Sequence, residues 1–335
     1  MTTSATTATT ASVVRALTVA ARHAAHPDTA RPPTGPPHPC RACGRDETVL
    51  ADRSDGVVVR HGAAVAKAHA PATDPAGHRA RLTVAAHPLL AGILLPPLPA
   101  APRHIAGRPV TTWPYGSPVD PDRPDDAPWE AAATLLARLH AVPPAALAPL
   151  SVPPVRGPLK AAQALSRMRA AGCHPAAADV ERAWAGLPAW ARGEAPAPAG
   201  GALCHGDLHL GQLVRHPATD GPWLLIDVDD LGLGDAAWDL ARPAAWYAAG
   251  LLAPDEWRRF LGAYRAAGGP AVPPAGDPWP RLDVAARALT VQTAALAVAK
   301  SAEQGRELDE VEGTMIESCA RIAVLPTELA AGPSS

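Results

Sequence analysis

The chain has 335 residues, a formal net charge of −2 and a high share of alanine and proline. Such a length accommodates one two-lobed domain or two ordinary ones with a sizeable core. The near-neutral charge argues against nucleic acid or an anionic membrane surface as a partner. No apolar run reaches the length of a membrane span and no signal-peptide pattern is present; with five scattered cysteines, this predicts a cytoplasmic protein.

Residues 1–39 are rich in alanine, threonine and proline. They offer few large apolar side chains to offset the entropy of ordering, so we expect a disordered tail with at most a short helix near Val13 to Ala25. Cys40 and Cys43 follow in a C-x-x-C pair. A structural zinc ion needs four ligands and no second pair exists, which favours a plain turn with two thiols over half of a zinc knuckle.

The sequence pattern of residues 47–69 predicts three short strands separated by turns at residues 54–56 and 61–62. Lys67 lies in the third strand, in a Val-Ala-Lys context. Only three of the 30 basic residues are lysines, which makes each lysine informative, although an ordinary edge-strand lysine is the alternative. Two further strands are expected at residues 92–96 and 108–112.

A linker and a run of helices follow. Residues 117–128 are rich in proline and aspartate, and the helix from Trp129 to Val142 ends at two prolines. Basic side chains on the next helix, Lys160, Arg167 and Arg169, are expected on a solvated face, with contact to a substrate as the alternative. An acidic cluster at residues 303–312 is expected to be an exposed charged turn, with binding of a cationic substrate as the alternative. The further helices are predicted at residues 157–172, 176–193, 282–301 and 308–325.

The most informative stretch is His205-Gly206-Asp207, with Gln212 five residues after the aspartate. A Gly/Asp turn and an apolar strand then lead to Asp227. Phosphoryl transfer from a nucleotide needs this set of groups: one carboxylate orients the attacking hydroxyl, while an amide oxygen and a second carboxylate hold Mg²⁺.

These motifs resemble those of the aminoglycoside phosphotransferase and choline kinase family, the small-molecule relatives of protein kinases. The segments at residues 137–140 (ARLH) and 235–241 (DAAWDLA) extend the resemblance over most of residues 40–330. It implies a bilobal, protein-kinase-like α+β fold, with a small β-rich N-lobe at residues 40–116 and a larger helical C-lobe at residues 117–330.

The resemblance also implies a role for each motif residue. ATP and Mg²⁺ are the expected cofactors, and the catalytic residue is Asp207. The nucleotide would contact a lysine, a turn glycine and the hinge, at Lys67, Gly56, Trp113 and Tyr115. Three oxygen ligands would hold the metal, Gln212, Asp227 and Asp229. Two residues, His205 and Asp239, would support the catalytic loop.

The sequence departs from the family pattern at two places. The helix after Lys67 carries no glutamate to pair with this lysine, so either Asp74 or Glu47 substitutes or the lysine has no ion pair. Gln212 stands where the family usually has asparagine. Both departures motivate one alternative, a pseudokinase that binds without turnover.

The leading function is transfer of the γ-phosphate to a hydroxyl of a small molecule, such as an antibiotic, a sugar or an amino alcohol. The other alternative acceptor is a serine or threonine of a ribosomal precursor peptide, with a separate lyase as partner, as in lanthipeptide or thioamide pathways. The small lobe is poor in acids, unlike a typical aminoglycoside-resistance enzyme, and this keeps the peptide acceptor under consideration.

Overall fold

The computed structural model describes residues 2–27, 40, 43–53, 55–198 and 200–325, with only the backbone described for residues 2–10. The chain divides into two compact units. The first contains residues 1–119 and 213–229, and the second contains residues 120–212 and 230–335. Residues 28–39 of the predicted tail lie outside the described residues.

The described residues form both β-strands and α-helices. In chain order the strands are Glu47–Asp52 (β1), Val57–His61 (β2), Ala64–Ala68 (β3), Arg103–Ile105 (β4), Arg108–Pro114 (β5), Ser117–Pro118 (β6), Ala202–Cys204 (β7), Leu213–Arg215 (β8), Trp223–Leu225 (β9) and Gly232–Gly234 (β10). The α-helices are Thr2–Ala25 (α1), Pro75–Ala85 (α2), Trp129–His140 (α3), Gly157–Ala170 (α4), Ala177–Ala185 (α5), Ala237–Ala249 (α6), Pro254–Ala266 (α7), Trp279–Gln304 (α8) and Glu310–Ile322 (α9).

A five-stranded sheet in the order β1-β2-β3-β5-β4 forms the centre of the first unit, and every neighbouring pair is antiparallel. Alternate side chains of β2 and β3 are buried, as the period of two in a half-buried strand requires. A second sheet in the order β6-β8-β9 belongs to the same unit. Residues 92–96 do not form the predicted strand; they make a turn with one isolated bridge between Leu94 and Leu225.

Helix α1 replaces most of the flexible tail that the composition predicted. Its side chains Val13, Leu17, Ala20 and Ala21 repeat at helical spacing and are buried. They pack with the buried side chains of β2 and β3 in one core cluster. The short helix predicted near Val13 to Ala25 is present, and it begins earlier than expected, at Thr2. Small alanines and a few valines and leucines, all on one face, bury apolar surface against the sheet.

The second unit is a helical assembly around α8, with the short β7-β10 ladder at one side. Buried alanines and valines of α8 pack against α4, α5, α6 and α9. By length and composition α8 is the one described helix that is able to cross a membrane, but 78% of its most apolar window is buried inside the protein. It is therefore the core helix of this unit.

The division between the units falls close to the predicted lobe boundary at residue 117, with one exception. Residues 213–229, which were predicted to belong to the helical lobe, are part of the first unit because β8 and β9 pair with β6. Asp227 and Asp229 thus belong to the β-rich unit, whereas Asp207 and Gln212 belong to the helical one.

Candidate active site

The catalytic loop of the second unit follows β7 and begins with His205-Gly206-Asp207. Gly206 has a φ of 85°, a left-handed conformation that side chains other than glycine adopt at a cost. A methyl group at this residue would also overlap the backbone carbonyl of Asp230. The glycine of the motif therefore lets the loop turn tightly against the start of the next segment and present Asp207.

Asp239 of α6 holds this loop through hydrogen bonds to its backbone. Its carboxylate accepts hydrogen bonds from the N–H groups of His205 at 2.6 Å and Gly206 at 2.7 Å. It also lies 2.9 Å from Nε2 of His140, whose Nδ1 lies 2.7 Å from the hydroxyl of Tyr264. Burial alone would raise the pKa of Asp239, but the bonds and charge of its neighbours lower it below its ordinary value of 3.8. A buried, multiply bonded carboxylate fixes the loop backbone.

Asp207 is surrounded by positive charge. One oxygen lies 2.9 Å from the guanidinium of Arg242, and the other lies 3.4 Å from Nζ of Lys160. Burial opposes ionisation of Asp207, but the charges of Lys160 and Arg242 outweigh it and lower the pKa of this carboxyl below its ordinary value. Lys160 is itself shared with Asp230 at 2.8 Å, and Arg156 lies 2.9 Å from the same carboxylate. Asp207 is therefore ionised and ready to accept a hydrogen bond from a hydroxyl.

A pocket in the second unit opens beside Asp207. Its wall combines the two cations with the Trp238 ring and with Leu289 and Gln292 of α8. The expectation of a solvated face for Lys160 is wrong, because this side chain is turned to the loop and is mostly covered.

Reasoning from the sequence missed Arg242 altogether. The available signal was its place on α6 three residues after Asp239, which puts both on neighbouring faces of one helix.

The first unit brings Lys67 together with the two aspartates that follow β9. Nζ of Lys67 lies 2.7 Å from Asp227 and 2.9 Å from Asp229. Burial would lower the pKa of Lys67, but the two carboxylates outweigh it and raise the pKa well above its usual range. Asp227 has a φ of 62°, a conformation that is strained for a residue with a side chain and that is found at functional sites.

Two histidines lie against Asp229, one of the two carboxylates that pair with Lys67. Nδ1 of His69 lies 3.0 Å from Asp229, and His78 of α2 lies 3.9 Å from the other oxygen of the same carboxylate. Burial, helped by neighbouring positive groups, lowers the pKa of His78 to about 4, so this imidazole is neutral at physiological pH. The acid-poor helix thus contacts the site through a neutral ring.

Neither acid suggested as a substitute partner of Lys67 has that role. Asp74 caps the start of α2, accepting hydrogen bonds from the N–H groups of Ala76 and Gly77. Glu47 lies 2.8 Å from Arg22 of α1. The ion pairs of Lys67 are those to Asp227 and Asp229, so the lysine is positioned without an acid on the helix.

The remaining nucleotide residues predicted for the first unit differ in how well they suit that role. The Cα of Gly56 faces Lys67, since a methyl group there would meet the lysine side chain at 3.8 Å. Trp113 lies in β5 and is buried, with its indole N–H bonded to Thr111. The backbone N–H of Tyr115 donates to Ala63 at 2.8 Å, and its carbonyl accepts from His216 at 3.0 Å. Both backbone groups of Tyr115 are therefore engaged, which weakens the proposal that they bind an adenine edge.

Gln212 ends a short 3₁₀ turn after the catalytic loop, and its side chain is buried. Its N–H donates to the carbonyl of His209, which closes the turn. The ligand types at Gln212, Asp227 and Asp229 are an amide and two carboxylates, the hard oxygen donors that Mg²⁺ prefers. The donor chemistry therefore fits the predicted metal.

Comparison with known proteins assigns the family. A model described as the phosphotransferase enzyme family matches residues 48–282, more than half of the chain. The chain belongs to this family. It is accordingly a phosphotransferase whose acceptor is an alcohol group, as the motifs predicted.

Solved structures share the fold at low sequence identity. A choline/ethanolamine kinase family protein from Mesorhizobium loti is 16% identical, covers 93% of this chain and 97% of its own, and has a TM-score of 0.57. The aminoglycoside phosphotransferase APH(4)-Ia, a thermostable mutant, is 14% identical over 84% and 95%, with a TM-score of 0.57. Spectinomycin phosphotransferase APH(9)-Ia, in complex with ADP and spectinomycin, is 12% identical over 85% and 91%, at 0.52. No curated protein matches the sequence. These likenesses confirm the predicted α+β, protein-kinase-like fold.

Proposed function

We propose that this protein uses Mg²⁺ and ATP to phosphorylate a hydroxyl of a neutral or anionic small molecule. The observation that carries the proposal is the setting of Asp207, an ionised carboxylate on a braced loop with Lys160 and Arg242 beside it. Structural relatives with ADP and AMP-PNP bound support the choice of nucleotide.

The first unit carries most of the residues that we assign to the nucleotide. Lys67 would contact phosphate oxygens, and Gly56 lies beside this lysine. Asp227 and Asp229, with Gln212, are the proposed magnesium ligands. Mg²⁺, when bound, would neutralise charge on the phosphate oxygens and orient them. In the structure Lys67 balances the two carboxylates, and on nucleotide binding it would exchange them for phosphate.

The second unit supplies the acceptor side. Asp207 accepts the hydrogen bond of the attacking hydroxyl and takes its proton as the new P–O bond forms and the bond between the γ-phosphorus and the bridging oxygen breaks, with ADP as the leaving group. Because the barrier to phosphoryl transfer lies in positioning and charge, a carboxylate with a lowered pKa is sufficient for this role. Arg242 fixes the orientation of Asp207 through one oxygen, which leaves the other for the acceptor once Lys160 shifts to Asp230 alone.

The charge around Asp207 argues for the class of acceptor. The described wall of the pocket carries Lys160 and Arg242 with Asp207 as its acid, so a polycationic acceptor would meet net repulsion. Acids further along the chain are committed elsewhere: Glu303 lies 2.6 Å from Arg167, and Glu312 lies 2.6 Å from Arg306. A neutral polyol or an anionic hydroxyl compound suits these surroundings better than an aminoglycoside.

The test is incubation of the protein with γ-labelled ATP, Mg²⁺ and a metabolite extract that has been divided by charge. We expect label in the neutral or anionic small-molecule fractions, and none with Asp207→Asn. Label only in the cationic fraction would contradict the acceptor class but keep the chemistry. Label on peptides would indicate that the protein phosphorylates a precursor peptide instead of a small molecule. Tight ATP binding without label in any fraction would support a pseudokinase.

A further inference from the structure

A cluster of two cysteines and two histidines lies in the first unit, outside the proposed active site. It consists of His26, Cys40, Cys43 and His61, and one donor atom from each lies within 4.8 Å of all the others. The sequence showed only the C-x-x-C pair. The two histidines come from distant places: His26 follows the last residue of α1, and His61 is the last residue of β2.

The geometry points to a structural zinc site, and we propose that these four residues bind one Zn²⁺ ion in tetrahedral coordination. Zinc bonds of about 2.3 Å to sulfur and about 2.0–2.1 Å to nitrogen place the donor atoms of a tetrahedral site roughly 3.4–3.8 Å apart. Sγ of Cys43 and Nε2 of His61 are already 3.4 Å apart. Closing the other pairs needs movements of about 1 Å, which side-chain rotations supply.

Two backbone hydrogen bonds hold Cys43 and Gly44 close to Cys40. The N–H of Cys43 donates to the carbonyl of Cys40 at 3.2 Å, and that of Gly44 donates to the same carbonyl at 2.6 Å. Gly44 has a φ of 64°, so the chain turns back directly after the second cysteine. Neither Cys40 nor Cys43 forms a disulfide, and both sulfur atoms lie within 4.8 Å of a ring nitrogen of the buried His61.

The donor set selects the kind of metal. Two thiolates and two imidazoles give a closed set of four soft and borderline donors, typical of structural zinc and unlike the oxygen ligands of Mg²⁺ or Ca²⁺. Two thiolates neutralise the charge of the ion, so the site needs no further acid. With all four coordination positions filled by protein, the ion would not activate water, and its role is structural.

The role follows from where the four ligands lie in the chain. The ion would tie the end of α1 and the turn at Cys40 to the end of β2, holding α1 on the sheet whose buried side chains it covers. Zinc binding would thereby add to the stability of the unit that carries Lys67 and Asp227.

The test is metal analysis of the full chain, purified without chelator, by inductively coupled plasma mass spectrometry. We expect about one zinc per chain, as four ligands predict. Replacement by Co²⁺ is expected to give thiolate charge-transfer absorption and the visible bands of a tetrahedral site. A wild-type protein that is folded, reduced and free of zinc, and that gives no such spectrum with Co²⁺, would overturn the proposal, as would a disulfide between Cys40 and Cys43.

Variants separate these four residues from the rest of the chain. Cys43→Ser and His61→Gln are expected to lose most of the zinc and the cobalt spectrum. The matched controls Cys173→Ser and His104→Gln change exposed residues outside the cluster and should keep both. If a cluster variant does not fold, the cobalt spectrum and thiol count of the wild-type chain still decide: chelation should expose two additional reactive thiols. Zinc retained by the doubly substituted Cys40→Ser/Cys43→Ser protein would contradict the assignment.

Discussion

Asp207 illustrates how single residues set the chemistry of the site. Its charge is maintained by Arg242 at 2.9 Å and Lys160 at 3.4 Å rather than by exposure to solvent. The lowered pKa of Asp207 means that it remains ionised down to pH values below the ordinary 3.8 of an aspartate. In the proposed mechanism the carboxylate orients the acceptor, so its removal should affect turnover far more than nucleotide binding.

Asp207→Asn should therefore reduce the rate of transfer by about 10³-fold while leaving the dissociation constant of the nucleotide within about threefold. The measurement is steady-state turnover together with calorimetric nucleotide titration. Asp122→Asn, which changes an exposed aspartate of the linker, is the matched control. Turnover by Asp207→Asn close to that of the wild type would remove this residue from the mechanism.

Asp239 gives a prediction about stability and pH. Because its folded-state pKa is lower than the ordinary 3.8, the stability that it contributes is fully present above this value and is lost as pH falls through the folded-state pKa. Asp239→Asn should lower the free energy of unfolding by about 3–5 kcal/mol at neutral pH, the range for removing a buried charged partner. The difference from wild type should shrink only below about pH 4.

Denaturant unfolding of both proteins between pH 7 and pH 3 measures this difference. Asp255→Asn is the control, since the side chain of Asp255 is 79% exposed. A difference that already disappears between pH 7 and pH 5 would show that another group, and not Asp239, is responsible.

The catalytic loop depends on Gly206, which has a left-handed backbone conformation and no room for a side chain. Gly206→Ala should cost about 1–3 kcal/mol of conformational strain, in addition to the overlap with the Asp230 carbonyl. We expect the variant to lose most of its transferase activity. Gly201→Ala, next to β7 with open space around it, is the control and should keep it. Equal activities would mean that the loop does not need this turn.

Helix α1 packs on the sheet of the first unit through one buried face. Leu17 is fully buried against β2 and β3, so Leu17→Ala should lower the free energy of unfolding by about 2–5 kcal/mol. Val19 of the same helix is 39% exposed, and Val19→Ala should change it by no more than about 0.5 kcal/mol. Chemical denaturation measures both. Indistinguishable effects of the two variants would indicate that α1 does not pack as described.

Particular residues show where reading the sequence succeeded and failed. Local motifs singled out Gly206 and Asp207, which the structure places on a loop bonded to Asp239, and Asp227 and Asp229, which it places against Lys67. Their catalytic and metal-binding roles stay predictions. The ion pair of Lys160 with Asp230 and the approach of His26 to His61 join residues far apart in sequence, and no periodicity reveals such contacts. For α1 the sequence predicted the short helix near Val13 to Ala25, but not its start at Thr2, because composition does not reveal that a sheet offers a surface on which the helix packs.

For the whole molecule, the proposal assigns the two units complementary parts of one reaction. The β-rich unit carries the lysine and the two aspartates for the nucleotide and metal, and the helical unit carries Asp207 with its cationic pocket. The absence of a helix glutamate does not leave Lys67 unpaired, because Asp227 and Asp229 hold it. The departure that motivated the pseudokinase alternative is thereby compensated.

Transfer of phosphate from ATP to a hydroxyl is tested most directly by its stoichiometry. The reaction would contain Mg²⁺, ATP and an acceptor taken from the extract fraction that takes up label. Mass spectrometry of the acceptor and quantification of ADP would be performed on the same sample, for wild type and Asp207→Asn. The account predicts one phosphorylated hydroxyl for each ADP formed by the wild type, dependence on Mg²⁺, and neither product with the variant. ADP formed without a phosphorylated acceptor, or equal transfer by the variant, would contradict it.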